Sequence, residues 1–168
     1  MRKMVALLFV LPLLASCDLP NRTVEANGTV AAGLKFDGRT FGEQRRLWRS
    51  SGTKDYSYDL AALGYISYEG TVSVVNGDFK GDDPDWGTIE EFLEYSTIDK
   101  VYDEIEAMFL KHKDAEQSKS DFHFTEIAVE YDTENHIPTK IFHKYYCPPN
   151  LAVDGTFVFE IRNFAGTK

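Results

Sequence analysis

The sequence predicts an α+β fold: an antiparallel sheet of about five or six strands, covered on one face by one main helix plus a short N-terminal helix. Three observations predict it. Apolar residues alternate with period two in short runs, as in Asp55–Leu60, Ile127–Tyr131 and Thr156–Phe164. One segment instead carries them at helical spacing, with Ile98, Val101, Tyr102, Ile105, Met108 and Phe109 on a single face. The runs fall in the order α-β-β-α-β-β-β, which groups strands consecutively and places helix against one side of a sheet.

Each element has a local reason. Phe41–Trp48 reads as the short helix, with Leu47 and Trp48 as its stripe and Gly52 as its stop. Asp55–Leu60 is the first strand and Glu69–Val75 the second. Asn76-Gly77 then forms a hairpin turn, because both residues tolerate positive φ, and Phe79-Lys80 continue the chain beyond it. Gly81-Asp82-Asp83-Pro84-Asp85-Trp86-Gly87 is a loop by composition. Thr97 caps the long helix, Asp99 suits the positive end of its dipole, and Lys111 and Lys113 suit the other. Ile127–Tyr131 is the third strand and Asp132-Thr133-Glu134-Asn135 a turn. Thr139–Tyr145 returns, with Pro138 placed where its missing N–H costs least. Thr156–Phe164 closes the chain with Phe157, Phe159 and Ile161 on one face. No internal repeat is evident.

Ahead of this body stands an export signal. Met1-Arg2-Lys3-Met4 is a positive start, Val5–Leu14 an apolar run, and Ala15-Ser16-Cys17 a small-residue cleavage site. Leu14-Ala15-Ser16-Cys17 resembles the bacterial lipobox, which implies cleavage between Ser16 and Cys17 and acylation of Cys17. The run is too short to span roughly 30 Å of hydrocarbon. Each buried acyl methylene contributes about 0.8 kcal/mol, so two or more chains hold stably. The expected organisation is a lipoprotein signal peptide over 1–16, the lipidated cysteine and a flexible tether over 17–38, and a single domain over 39–168. An aspartate at Asp18 resembles the inner-membrane retention signal of enteric Gram-negative bacteria, a lineage-specific rule that leaves the choice of membrane open. The sequons Asn21-Arg22-Thr23 and Asn27-Gly28-Thr29 are chance matches in such a protein.

Composition bounds the rest. About 150 residues remain after the leader, enough for one core, and 43% hydrophobic content with 14% aromatics belongs to a folding chain. Losing Arg2 and Lys3 with the leader takes the formal charge from −9 to −11. An acidic body argues against nucleic acid and against anionic headgroups as a docking surface. With Cys17 acylated, Cys147 has no intrachain partner, so no disulfide framework is expected. Cys147 beside Pro148-Pro149 reads first as a small buried hydrophobe. A metal site, a nucleophile or an intermolecular disulfide are its alternatives.

Four stretches carry a resemblance to a family of bacterial lipoproteins, domain-of-unknown-function family 6174. They are Trp48 with Asp55-Tyr56-Ser57-Tyr58, then Thr71-Val72-Ser73-Val74-Val75-Asn76-Gly77. Next come Ser96-Thr97-Ile98-Asp99 with Val101-Tyr102 and Ile105, and Val129-Glu130-Tyr131-Asp132 leading to Ile137-Pro138-Thr139-Lys140-Ile141. Together they span most of the chain from Trp48 to Phe164. Two features depart from the family pattern. Asn135-His136 stands before the proline in place of glycine, where Asn can take the left-handed conformation, and the Leu60–Thr71 hairpin has no cysteine. The resemblance implies a lipid-anchored domain of unknown role and supplies no catalytic residues.

Four constellations could carry chemistry. Asp78, Asp82, Asp83, Asp85, Glu90 and Glu91 crowd one region, and Asp83 and Asp85 fit the first ligands of a calcium loop. The glycine offset and the closing glutamate are wrong, so a solvated acidic loop is expected and no metal or cofactor. His112, His123, His136 and His143 show no zinc spacing and read as surface or turn residues. Cys147 with His143 and an aspartate would make a thiol hydrolase, but no signature surrounds it. Aromatics are the richest cluster: Tyr56, Tyr58, Tyr65, Tyr68, Trp86, Phe92, Tyr95, Tyr145 and Tyr146. Tyr56, Tyr58 and Trp86 are the candidates for an outward binding surface, against core packing as the alternative.

The expectation is therefore a non-enzymatic, lipid-anchored envelope protein on the outer side of the cytoplasmic membrane or in the outer membrane. It would bind a protein, peptide or glycan and no nucleic acid. An envelope hydrolase with a His/carboxylate site, or a structural lipoprotein with no ligand, are the rival readings. A concave pocket with Asp, Glu and His converging would favour the hydrolase, and an outward aromatic patch would favour binding.

Overall fold

In a computed structural model, the structure describes residues 36–63, 67–81, 90–118, 124–145 and 155–167. The lipobox and Cys17, the tether up to residue 35, Asp83, Asp85, Trp86, His123 and Cys147 lie outside the described residues.

Helix α1 spans Gly38–Ser51, followed by strands β1 (Asp55–Leu63), β2 (Tyr68–Val75) and β3 (Asp78–Phe79). A 3₁₀ helix over Glu90–Tyr95 leads into helix α2, Ile98–Ser118. Strands β4 (Phe124–Asp132), β5 (Ile137–Tyr145) and β6 (Thr156–Thr167) complete the chain. The six strands form one sheet in the order β3-β2-β1-β6-β5-β4, with every recorded pairing antiparallel. Two three-strand meanders thus meet at β1 and β6. The fold is α+β, as the pattern predicts.

Local chemistry sets the element ends. The Asp37 side chain accepts from Thr40 N at 3.1 Å, and Gly52 closes α1 with φ 70°. Asp37 and Gly38 therefore belong to the folded body as cap and first helical residue. Phe36 already packs its ring on Phe41 and Phe109, so residues 36–38, expected to close the tether, are part of the folded body. Thr97 caps α2 as read, accepting from Lys100 N at 3.2 Å. Asn76 and Gly77, at φ 55° and 84°, form the predicted hairpin turn. In the β4–β5 turn the left-handed residue is His136, with φ 58°, in place of the expected Asn135. Asp132 decides this. Its carboxylate accepts from Glu134 N, Asn135 N and Asn135 Nδ2, which ties Asn135 down and passes the reversal to His136.

Alternation sorts the sheet into two faces. Tyr56, Tyr58, Leu60, Val72, Val74, Ile127, Ile141 and Ile161 turn inward, where Phe41 and Trp48 of α1 and Ile98, Val101, Tyr102 and Ile105 of α2 cover them in one core. The other face is mixed, with an apolar row of Leu63, Val158, Phe142 and Ala128 beside charged residues. Lys140, Glu160, Arg162 and Glu69 form a ladder of ion pairs across it.

One bulge keeps this sorting intact to the end of β6. Between Ser57/Ala165 and Asp59/Arg162, β6 spends one residue more than β1. Asn163 takes up the extra length at φ 51°, and its Nδ2 donates to Asp59 at 2.8 Å. The shift turns Phe164 inward, onto Trp48 and Tyr56. A β-branched residue does not tolerate that backbone. Asn163→Val should therefore lose about 1–3 kcal/mol in denaturant unfolding, whereas Asn163→Gly should lose clearly less. Equal losses would mean that the bulge is not held by backbone conformation.

Candidate functional site

Period-two alternation carries His143 and Tyr145 of β5 inward with Ile141, and Phe157 and Phe159 of β6 stand beside them. His143 pairs directly with Phe157 across the strands, and their rings stack at 5.2 Å and 10°. Phe159 stacks on the same imidazole at 5.8 Å and 12°. Tyr95, at the end of the 3₁₀ helix, lies flat on Phe159 at 4.1 Å and 16°. From above, α2 presents Glu104, Met108 and Lys111, spaced four and three residues apart and so stacked on one side. These residues, with Phe92 and Glu94, line a cleft of about 410 Å³. That is the size of a small-molecule site with mostly apolar walls and a few polar groups.

Two of those polar groups are perturbed. His143 is 5% exposed, its Nδ1 has no hydrogen-bond partner, and burial holds its pKa down to about 4. The imidazole is neutral at physiological pH. Glu104 is raised to about 7, first by burial and then by a hydrogen bond with Glu94, with Lys111 nearby pulling the other way. Burial and the neighbouring Glu94 thus favour the protonated form of Glu104 at the rim of the cleft.

Tyrosines of β1 hold this roof in place. The Tyr58 hydroxyl donates to the Tyr95 carbonyl, and the Tyr56 hydroxyl accepts from Ile98 N at 3.1 Å. Burial pushes both hydroxyls above their ordinary range, Tyr56 to about 12 and Tyr58 also well upward. This corrects the expected binding surface. Tyr56 and Tyr58 are 7% and 1% exposed, because their strand parity is that of Leu60 and faces the helices. They position the site from beneath. Trp86, the third candidate, lies outside the described residues, as do the calcium candidates Asp83 and Asp85.

The histidines are corrected as well. Among the described residues His112 and His143 are buried and His136 occupies a turn, its Nδ1 3.0 Å from Gln44 Oε1. Among the described residues no three His, Cys, Asp or Glu come together to hold a metal ion. Of the aromatic cluster read from the sequence, Phe92, Tyr95 and Tyr145 do line the cleft, and Tyr68 packs on Phe92 at 4.5 Å. Sequence reasoning missed Glu94, Glu104 and Lys111 as site residues. The available signal was Glu104 and Lys111 at i−4 and i+3 from Met108, on the edge of the apolar stripe of α2.

The α+β sandwich and its cleft define a class of protein by architecture alone. Comparison with protein-family models, curated proteins and solved structures finds no match.

Two outcomes follow from this geometry. Tyr58→Phe strands the buried Tyr95 carbonyl and should cost about 1–3 kcal/mol in denaturant unfolding, with chemical-shift changes at Tyr95 and Phe159. No loss would mean that the hydroxyl does not hold the roof. The second is a pH dependence of opposite signs. Glu104 is raised from 4.5 to about 7, so its contribution is full below pH 4.5 and lost as pH rises through 7. His143 is lowered from 6.5 to about 4, so its contribution is full above pH 6.5 and lost as pH falls towards 4. On acidification from pH 7 to 4.5, the Tm of Glu104→Gln should drop more than that of the wild type, and the Tm of His143→Phe less. Parallel curves for the three proteins would remove both assignments.

Proposed function

We propose that the chain is a lipid-anchored bacterial envelope protein whose folded domain binds a small ligand in the aromatic cleft between α2 and the β5–β6 face. The observation that carries this is His143. A buried nitrogen without a partner costs about 1–3 kcal/mol, and nothing in the packing requires it, since phenylalanine would continue the stack. A site that keeps such a group keeps it for a ligand.

Leu14-Ala15-Ser16-Cys17 supports the anchor, and the motifs shared with family 6174 support the envelope setting. No helix among the described residues is long and apolar enough to cross a membrane.

The cleft does bring glutamates and a histidine together, the arrangement that would favour a hydrolase. Its details favour binding. A hydrolytic histidine needs a group at its second nitrogen to orient it, and His143 Nδ1 has none. Glycosidase carboxylates stand at least about 5 Å apart, whereas Glu94 and Glu104 are within hydrogen-bonding reach of each other.

Two measurements test the proposal. Cys17→Ser should move the protein from the membrane fraction to the soluble fraction, and a protein that stays bound is not held by lipid on that residue. A small-molecule fragment screen by NMR should give shifts clustered at Tyr95, His143, Phe157 and Phe159. His143→Phe should weaken those shifts while raising or preserving Tm. Hits scattered over the surface would defeat the cleft as the site.

A further inference from the structure

Resting on the binding site proposed above, we infer that the cleft takes an organic cation: a protonated amine on an apolar body of one or two rings, its ammonium held between Glu94 and Glu104. The walls and the rim make different demands, and an amine of this kind meets both. Tyr95, Tyr145, Phe157 and Phe159 offer ring surface to an apolar body, and aromatic faces also attract a cation within about 6 Å. Glu94 reaches the rim from the 3₁₀ helix and Glu104 from α2, so an ammonium placed between them meets carboxyl oxygens from two elements. His143 lines the wall as a neutral imidazole, which adds no repulsion and leaves Nδ1 free of any partner.

Charge balance favours the same ligand. Glu104, pushed up to about 7, lies beside Glu94, with Lys111 nearby pulling the other way. When an ammonium enters, the proton on Glu104 leaves to solvent and an ion pair takes its place. An anion would meet two acidic side chains, Glu94 and Glu104, and an acidic body of formal charge −9. A neutral ligand forms no ion pair with either. The groups facing Glu104 are Glu94 from the 3₁₀ helix, Lys111 from α2 and His143 with Tyr145 from β5.

The test uses the full chain carrying Cys17→Ser, titrated with naphthylmethylamine, naphthylmethanol and naphthoate, and followed by NMR shifts at His143 and Phe157. At pH 8 the amine should bind at least about tenfold more tightly than the alcohol, and the carboxylate should bind least. Because binding displaces a proton of pKa about 7, the amine's affinity should fall about tenfold from pH 8 to pH 6, while the alcohol's stays constant. Glu104→Gln should bring the amine down to the alcohol's affinity and leave the alcohol unchanged. Glu94→Gln, at an exposed position, does the same if the Glu104 variant fails to fold. Equal binding of amine and alcohol by the wild type, or an amine preference that survives both substitutions, overturns the cation inference and leaves the cleft as a binding site. Failure of all three probes to bind overturns both.

Discussion

Two tyrosine hydroxyls fix the relation between helix and sheet on which the rest of this structure depends. Tyr56 and Tyr58 stand on the inward face of β1, near the middle of the sheet. One accepts from the first N–H of α2 and the other donates to the last carbonyl of the 3₁₀ helix. A helix start has N–H groups with no partner of their own, and a buried start must find them elsewhere. Here the sheet supplies one, while Thr97 supplies another. The junction between the 3₁₀ helix and α2 is thereby pinned in place and in orientation. From that point α2 carries Ile98, Val101, Tyr102 and Ile105 into the core and leaves Glu104, Met108 and Lys111 over the outer half of the sheet. A helix started elsewhere would put other side chains above His143.

The first helix reinforces the same junction. Trp48 Nε1 donates to Asp99 at 3.4 Å and the Trp48 ring packs edge-on against Tyr56. Arg45 bridges to Asp103 and to Glu106, the latter at 2.7 Å, from a largely buried position. Partial burial makes this fork worth more than the exposed ladder on the opposite face, where pairs such as Lys140–Glu160 contribute about 0–1 kcal/mol each. The Tyr102 hydroxyl then donates to the His136 carbonyl at 2.8 Å, which ties α2 to the β4–β5 turn. Polar contacts thus fasten the C-terminal half of α1 to the N-terminal half of α2, and apolar packing runs along both.

Much of the fold was legible because its signals are local. The Asn76-Gly77 turn, the Thr97 cap, the Gly52 stop and the helical stripe from Ile98 each state their conformation through their own chemistry. The left-handed residue before Pro138 was misplaced, since the choice between Asn135 and His136 depends on which N–H groups Asp132 captures. The site was harder to read for a deeper reason. Alternation shows that Tyr56 and Tyr58 share a face, but which face receives the helices is a tertiary fact. The same limit hid His143. Its parity with Ile141 already placed it inward, yet the meeting of β5 and β6 beneath α2 was needed to give it Phe157 and Phe159 as neighbours. Glu94 and Glu104, ten residues apart across an element boundary, share no spacing that would announce a pair.

What marks the cleft is that two departures from local rules meet around one aromatic hollow. In the core, the Tyr58 and Tyr102 hydroxyls find carbonyl acceptors and the helix start finds Tyr56. In the cleft, a histidine is buried without a partner at Nδ1, and burial and the neighbouring Glu94 push the Glu104 carboxyl up to about 7. Each departure costs stability, and each has a cheaper isostere: phenylalanine for His143, glutamine for Glu104. Folding alone would favour both replacements. Their joint presence around one aromatic hollow is explained if the hollow is completed by something that supplies the missing hydrogen bond and favours the ionised form of Glu104.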